Sequence, residues 1–496
     1  MQTGIRWLVS GLLVGCLVAP PAAWAQAASN VMLDSSEQLF TILAAAAAAG
    51  SDWSPNTEDA VQARNDLRAF LASKDLPVAP ELRRFFAEHR GSGEPGARLG
   101  QYVSLALLLG PPPDFKFSVP QSDLPPDAKA LVGLVPLLKS FSQQANLVAL
   151  WGQLQGLHQR EIARYSPLVR RSIERVDAYL RFPSGAYLGR TYTIYLSLLG
   201  PPDQVHARIY GQDYYLVVTP AKEPKVAEIR HQYLHFLLDP LAVKFAAEIE
   251  QKADLRSVAR QAPLLGSDFK QDFYLLVTEC LIRAVELRMD KRPAAEAEKS
   301  IQEMAAAGFI LVPYFHAALL DYEKQEASMS VAYKEMILGI NPAKERVRLV
   351  SVRFTPKPQP AQGAAPLAVS EEDRLLDEGD NLIAEGRYLA AKTAYESVLA
   401  TLNPKSERAL FGLALVASGT RKPDTAEQYF QRTLEVAQDL RIVTWTHIYL
   451  GRLLDLKGDR KAALAQYRAA SVTAAAYPDA LRAVQSGLQK QFGSRE

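Results

Sequence analysis

The chain has 496 residues, a formal net charge of +2, 48% apolar residues and 22% charged residues. It is too long for one ordinary domain and too apolar for a disordered chain. Its near-neutral charge gives no reason to expect nucleic acid or an anionic membrane as a partner.

The N-terminus has the order of a secretion signal. Arg6 precedes the apolar run 7–18, and Ala23 and Ala25 flank Trp24 in an A-x-A cleavage pattern. Residues 1–25 are therefore expected to be a leader, which places the mature protein in a periplasm or outside the cell. A competing reading takes Leu13-Val14-Gly15-Cys16 as a lipobox, with a lipid anchor on Cys16. Cleavage after Ala25 would leave Cys280 alone, so no intrachain disulfide forms and burial must hold the fold. No later stretch reaches the length of a membrane span.

Residues 26–185 read as helical. Apolar residues recur at helical spacing over 35–50, 57–73, 79–89, 96–109, 127–155 and 159–181, separated by proline clusters at 111–113 and 125–126. Residues 186–353 change texture. Segment 190–199 alternates with period two and predicts a half-buried strand; 206–210 and 214–219 predict two more, joined by a Gly211-Gln212-Asp213 turn. Helical pattern resumes near Val226, and 346–354 is expected to close the sheet. The predicted class is α+β, mostly helical, with a small sheet. Segment 354–370 holds four prolines and a glycine, which predicts an extended linker and a C-terminal unit on a flexible tether.

Residues 371–496 repeat with a period near 34 residues. Gly379 and Gly386 recur as Gly412 and Gly419, then as Gly451 and Gly458. Each pair is followed by an alanine (Ala391, Ala426, Ala463) and an aromatic (Tyr395, Phe430, Tyr467). On paired helices the small residues permit close approach and the aromatic fills the groove. The pattern resembles the tetratricopeptide repeat family, departing from it at an insertion around Lys422-Pro423 and in a weak first-helix tryptophan position. The resemblance implies an α-solenoid whose concave face holds another polypeptide, with 481–492 as its capping helix.

One constellation suggests chemistry. His231 and His235 lie four apart, so on a helix both imidazoles project from one face, as two ligands of one metal ion do. Strands followed by such a helix resemble the gluzincin branch of zinc metallopeptidases, whose helix carries H-E-x-x-H. The resemblance implies zinc, a peptide in the cleft beside 214–219 or a neighbouring strand, and a third ligand on a later helix. Glu279 fits, because its helix is apolar nearly all round and a buried carboxylate must be paired or bind metal. The family's general base is replaced by Gln232, and an amide cannot take the proton from a metal-bound water. Glu228, a turn before His231, is a substitute base, whereas Asp239 is expected at the helix end. Cys280 is expected to be inert, and His206 and His316 have no partner at ligand spacing.

The expected function is thus an exported polypeptide-binding protein with a degenerate, catalytically silent zinc domain. Two other readings stay open: an active zinc peptidase with an unconventional base, and a metal-free scaffold in which Glu279 simply pairs with Arg283 and the histidines with backbone.

Overall fold

One small sheet, covered on both faces by helices, organises the body. The computed structural model describes residues 31–493 apart from 52, 54, 90–94, 183–188, 357–370, 385 and 475–476. The expected leader, Cys16, the Ala25 cleavage site and most of the linker lie outside the described residues.

The sheet has four strands, β1 (Val31–Asp34), β2 (Thr191–Leu196), β3 (Val205–Tyr210) and β4 (Asp213–Val218), in the order β1-β2-β4-β3. β2 runs parallel to both β1 and β4, and β3 pairs antiparallel with β4 across the turn at Gly211, whose φ of 60° suits glycine. β2 is not half-buried as expected. Tyr192, Ile194 and Leu196 enter one core, while Thr193 is buried on the other face and Tyr195 packs against a second core. The N-terminal helices supply that second core, so segments 26–185 and 186–353 share one sheet.

The helices Glu37–Ala48, Glu58–Ala72, Ala79–Glu88 and Pro95–Leu107 occupy the expected segments. Ser36 and Thr57 start the first two by accepting from the amides of Leu39 and Ala60. The helix expected over 127–155 is broken. It splits into Pro126–Lys129 and Leu134–Ala145, and Asn146 in the left-handed region (φ 55°) ends the second. A 34-residue helix, Leu147–Leu180, then runs through Pro167 without interruption and merges two expected helices. The strand expected over 346–354 is also replaced. Asn341 accepts from the Lys344 amide and Pro342 occupies the first turn, so Pro342–Leu349 is helical. The fourth strand comes instead from β1.

The C-terminal unit consists of three helical hairpins and a closing helix. The hairpins are Glu371–Ala384 with Tyr388–Ser397, Glu407–Gly419 with Pro423–Val436, and Leu440–Leu456 with Arg460–Ala474; Pro478–Gln489 closes the row. Ala391, Ala426 and Ala463 are fully buried. The Tyr395 ring lies between Gly379 and Gly412, and the Tyr467 ring between Gly451 and Gly487, so each ring occupies space that a β-carbon would need. Phe430 packs differently, stacked on Tyr449 with ring centroids 5.4 Å apart.

This row of helices does not hang free as the linker suggested. Its closing helix packs on the helices Val226–Lys244 and Phe273–Asp290. Arg441 bridges Asp272 at 3.0 Å and Asp479 at 2.8 Å, and the Arg482 guanidinium sits 4.1 Å from the centre of the Tyr274 ring. Among the described residues, no helix is long and apolar enough to cross a membrane.

Candidate metal centre

Two buried helices meet at the site. In the histidine helix, Val226–Lys244, Ile229, Tyr233, Leu234, Phe236, Leu237 and Leu238 are buried. Tyr192 donates to the Ile229 carbonyl at 3.3 Å and Tyr233 donates to Asp177 at 2.9 Å, which fixes the rotation of the helix. His231 and His235 therefore point together toward the second helix, with ring centroids 5.0 Å apart. The glutamate helix, Phe273–Asp290, begins at Asp272, whose carboxylate accepts from the amides of Tyr274 and Leu275. It carries Glu279, 2% exposed, to the same point.

Glu279 Oε2 lies 3.4 Å from His231 Nε2 and 3.3 Å from His235 Nε2, and the three ligand atoms fall within 4.8 Å of one another. Tetrahedral zinc with bonds of about 2.1 Å sets ligand–ligand separations of about 3.4 Å. Both histidine–glutamate separations match that edge, so the three side chains form a group that could hold a metal ion. The other Glu279 oxygen, Oε1, is 2.6 Å from Arg283 Nε, an ion pair that leaves Oε2 as the single ligand oxygen. Arg283 is itself held flat, 3.9 Å from the centre of the Phe309 ring.

A second ring of carboxylates orients the imidazoles. His231 Nδ1 is 3.3 Å from Glu286, and His235 Nδ1 is 3.1 Å from Asp239. Histidines that bind metal through one nitrogen almost always hold a carboxylate, carbonyl or water with the other. Sequence reading missed both partners. Asp239 was expected at a helix end, but the helix runs through Pro240 to Lys244, so Asp239 sits one turn beyond His235 on its face. Glu286 lies seven residues after Glu279, two turns along the same face, and that spacing was the available signal. Arg230 pairs with Asp290 at 2.8 Å and lies 3.7 Å from Glu286.

The electrostatics follow from this arrangement. Burial alone would lower both histidine pKa values. Hydrogen bonds to Glu279 and Glu286 outweigh it at His231, and the contacts with Asp239 and Glu279 raise His235 to about 10. Burial would raise Glu279, but the two imidazoles and Arg283 hold its carboxyl well below the usual range. The cluster thus gathers positive charge around one carboxylate, either as protons on the rings or as a bound cation.

Gln232, at the position where the resemblance expects a base, is held in place. Tyr214 donates to Gln232 Oε1 at 2.7 Å, so the amide is tied to β4. Glu228 is exposed and paired with Lys225 at 3.3 Å. Of the two options expected for the sheet edge, 214–219 or a neighbouring strand, β4 is not an edge, because β3 pairs along its outer side. The neighbouring strand, β3, is one edge, and β1 is the other. Cys280 is buried, and burial pushes its thiol up to about 12, which leaves it unreactive. His206 Nε2 is buried without a partner, and burial, aided by Arg208, lowers that ring to about 4.

The chain matches no protein family, no curated protein and no solved structure. Functional assignment therefore rests on the geometry of these residues.

Proposed function

We propose that the protein is an exported polypeptide-binding protein whose body holds one zinc ion on His231, His235 and Glu279 and has no peptidase activity. The observation that carries this reading is the double orientation of both rings: each imidazole turns Nε2 to Glu279 and Nδ1 to its own carboxylate. Buried imidazoles need partners at both nitrogens in any case, so the part that favours a metal is the convergence of both Nε2 atoms on the one oxygen Glu279 Oε2.

The order of strands, histidine helix and glutamate helix supports a degenerate gluzincin-like domain. Zinc, when bound there, acidifies a coordinated water and polarises a carbonyl. The chain's own contribution is to hold three ligands and leave a fourth position open. Gln232, tied to Tyr214, cannot act as a base. The helical hairpins, with Tyr395 and Tyr467 seated on glycines, support the tetratricopeptide-like reading and its concave surface for a polypeptide. A metal-free scaffold is the second reading, favoured by the closed ion pair between Glu279 and Arg283.

Metal analysis of the full chain, expressed with zinc available, tests the proposal. One zinc per chain is expected, lost in His231→Ala with the fold retained by circular dichroism. Absence of metal from folded wild type would favour the scaffold. Zinc-dependent peptide hydrolysis by wild type would favour an active peptidase. Hydrolysis that appears only in Gln232→Glu would support the silent site.

A further inference from the structure

Arg288 lies nine residues beyond Glu279, on the opposite face of the glutamate helix from the metal ligands. It lines a groove of about 850 Å³ between this helix, the long helix Leu147–Leu180 and the helices Ala294–Ala307 and Val312–Tyr322. That volume is in the range of small-molecule sites, about 300–1,000 Å³.

The groove combines two unlike surfaces. Its floor is apolar, with Leu287, Met289 and Ile301 buried and Ala297 half-buried among its lining residues. Its rim is cationic. Arg175, Arg288, Lys291 and Arg292 outnumber Glu298 and Glu323 by two. Glu323 takes both donors of Arg288, Nε at 2.8 Å and the second guanidinium nitrogen. Glu298 accepts from Gln302 at 2.9 Å. Arg175 spends one donor on the Met289 carbonyl at 2.9 Å, and Arg292 pairs with Asp290 and approaches Ser300, each at 3.4 Å. The Lys291 ammonium and the His316 ring make no hydrogen bond among the described residues. Cations near a helix C-terminus complement its dipole, but that role needs neither a groove nor an apolar floor.

We propose that this groove binds a small amphiphilic anion: a carboxylate head met by Lys291 and Arg292, on an apolar body laid along Ala297 and Ile301. A carboxylate offsets one of the two surplus rim charges, and the body dries the floor. A bare inorganic anion would leave that floor wet, and a neutral apolar ligand would leave the cations unmatched.

Titration of the full chain with octanoate, octanol and inorganic phosphate, followed by calorimetry and by the His316 ring proton signals, tests this. Octanoate is expected to bind at least about tenfold more tightly than either control and to shift the His316 signals. The double variant Lys291→Gln/Arg292→Gln, at exposed positions, should weaken octanoate at least about tenfold, the scale of lost charge-assisted hydrogen bonds. Ala297→Phe should abolish binding by filling the floor with the rim charge intact. Phosphate binding as tightly as octanoate would reduce the site to a charged patch, and equal octanol binding would reduce it to an apolar one. Absence of octanoate binding at millimolar concentration, or binding unchanged in both variants, would overturn the proposal.

Discussion

Replacing Arg441 with methionine tests what holds the helical hairpins to the body. The side chain of Asp272 is fully buried, that of Arg441 is 13% exposed, and that of Asp479 is 16% exposed. Methionine keeps the length of the apolar stem but leaves two carboxylates facing each other with no cation between them. Breaking a buried ion pair costs about 3–5 kcal/mol. The lower end applies here, because Asp272 keeps the amides of Tyr274 and Leu275, and burial beside Asp479 already raises its pKa, easing proton uptake. A loss of about 3 kcal/mol corresponds to roughly a hundredfold rise in local opening. Hydrogen–deuterium exchange of the full chain reads this directly. Amides of Pro478–Gln489 and of the first turn of Phe273–Asp290 should lose about that much protection, while Leu147–Leu180 should not change. Asp272→Asn, which keeps the helix cap and loses only the charge, should have a smaller effect. Protection of Pro478–Gln489 within twofold of wild type in the Arg441 variant would show that the bridge does not hold the interface.

Three further outcomes follow from the geometry. In Gly412→Ala the new β-carbon would lie 2.4 Å from Tyr395 Cζ, and the forced shift of a buried ring should cost about 1–3 kcal/mol, read as a lower urea midpoint; an unchanged midpoint would show that the ring moves freely. Asp239→Asn and Glu286→Gln should each weaken zinc binding by about 10–100-fold in chelator competition, and equal affinity in both would remove the orienting role. His158 is 3% exposed, neither ring nitrogen has a partner, and burial lowers its pKa to about 4. Below the unfolded value of about 6.5 the unfolded chain takes up a proton that the folded chain refuses, so stability falls by up to about 3 kcal/mol as the pH drops to about 4. Urea midpoints from pH 7 to pH 4.5 should show that fall, and His158→Phe should flatten it in part, His206 contributing in the same direction. A slope identical to wild type would refute the assignment to His158.

Periodicity made much of the architecture legible. The strands near 191–218 and most helices fall where apolar spacing puts them, because the side chain's exposure repeats with the backbone's own geometry. Two elements depart from that pattern. β1 is only four residues long and pairs with a strand 161 positions away, as in Val31 with Tyr192. No local pattern announces a short parallel partner. The helix at Pro342–Leu349 stands in place of the strand expected over 346–354: Val347 and Val350 stay exposed, and the Asn341 cap starts a helix.

At the candidate metal centre the same division holds. The spacing of His231 and His235 within one helix is a local fact, since residues four apart share a face wherever that helix lies. The apolar surroundings of Glu279 marked it as a carboxylate needing a partner. Bringing that carboxylate within 3.4 Å of both rings, and setting Glu286 and Asp239 behind them, depended on how two helices rotate against each other. That rotation is set by Tyr192, Tyr233 and the packed core, which are contacts between distant segments. The Gly, Ala and aromatic pattern likewise marked the paired helices of the C-terminal unit, but the linker composition could not reveal where they dock. The packing of Pro478–Gln489 on two body helices and the buried meeting of Arg441 with Asp272 decide that, because a charge is paired across an interface by proximity in space and not by spacing along the chain.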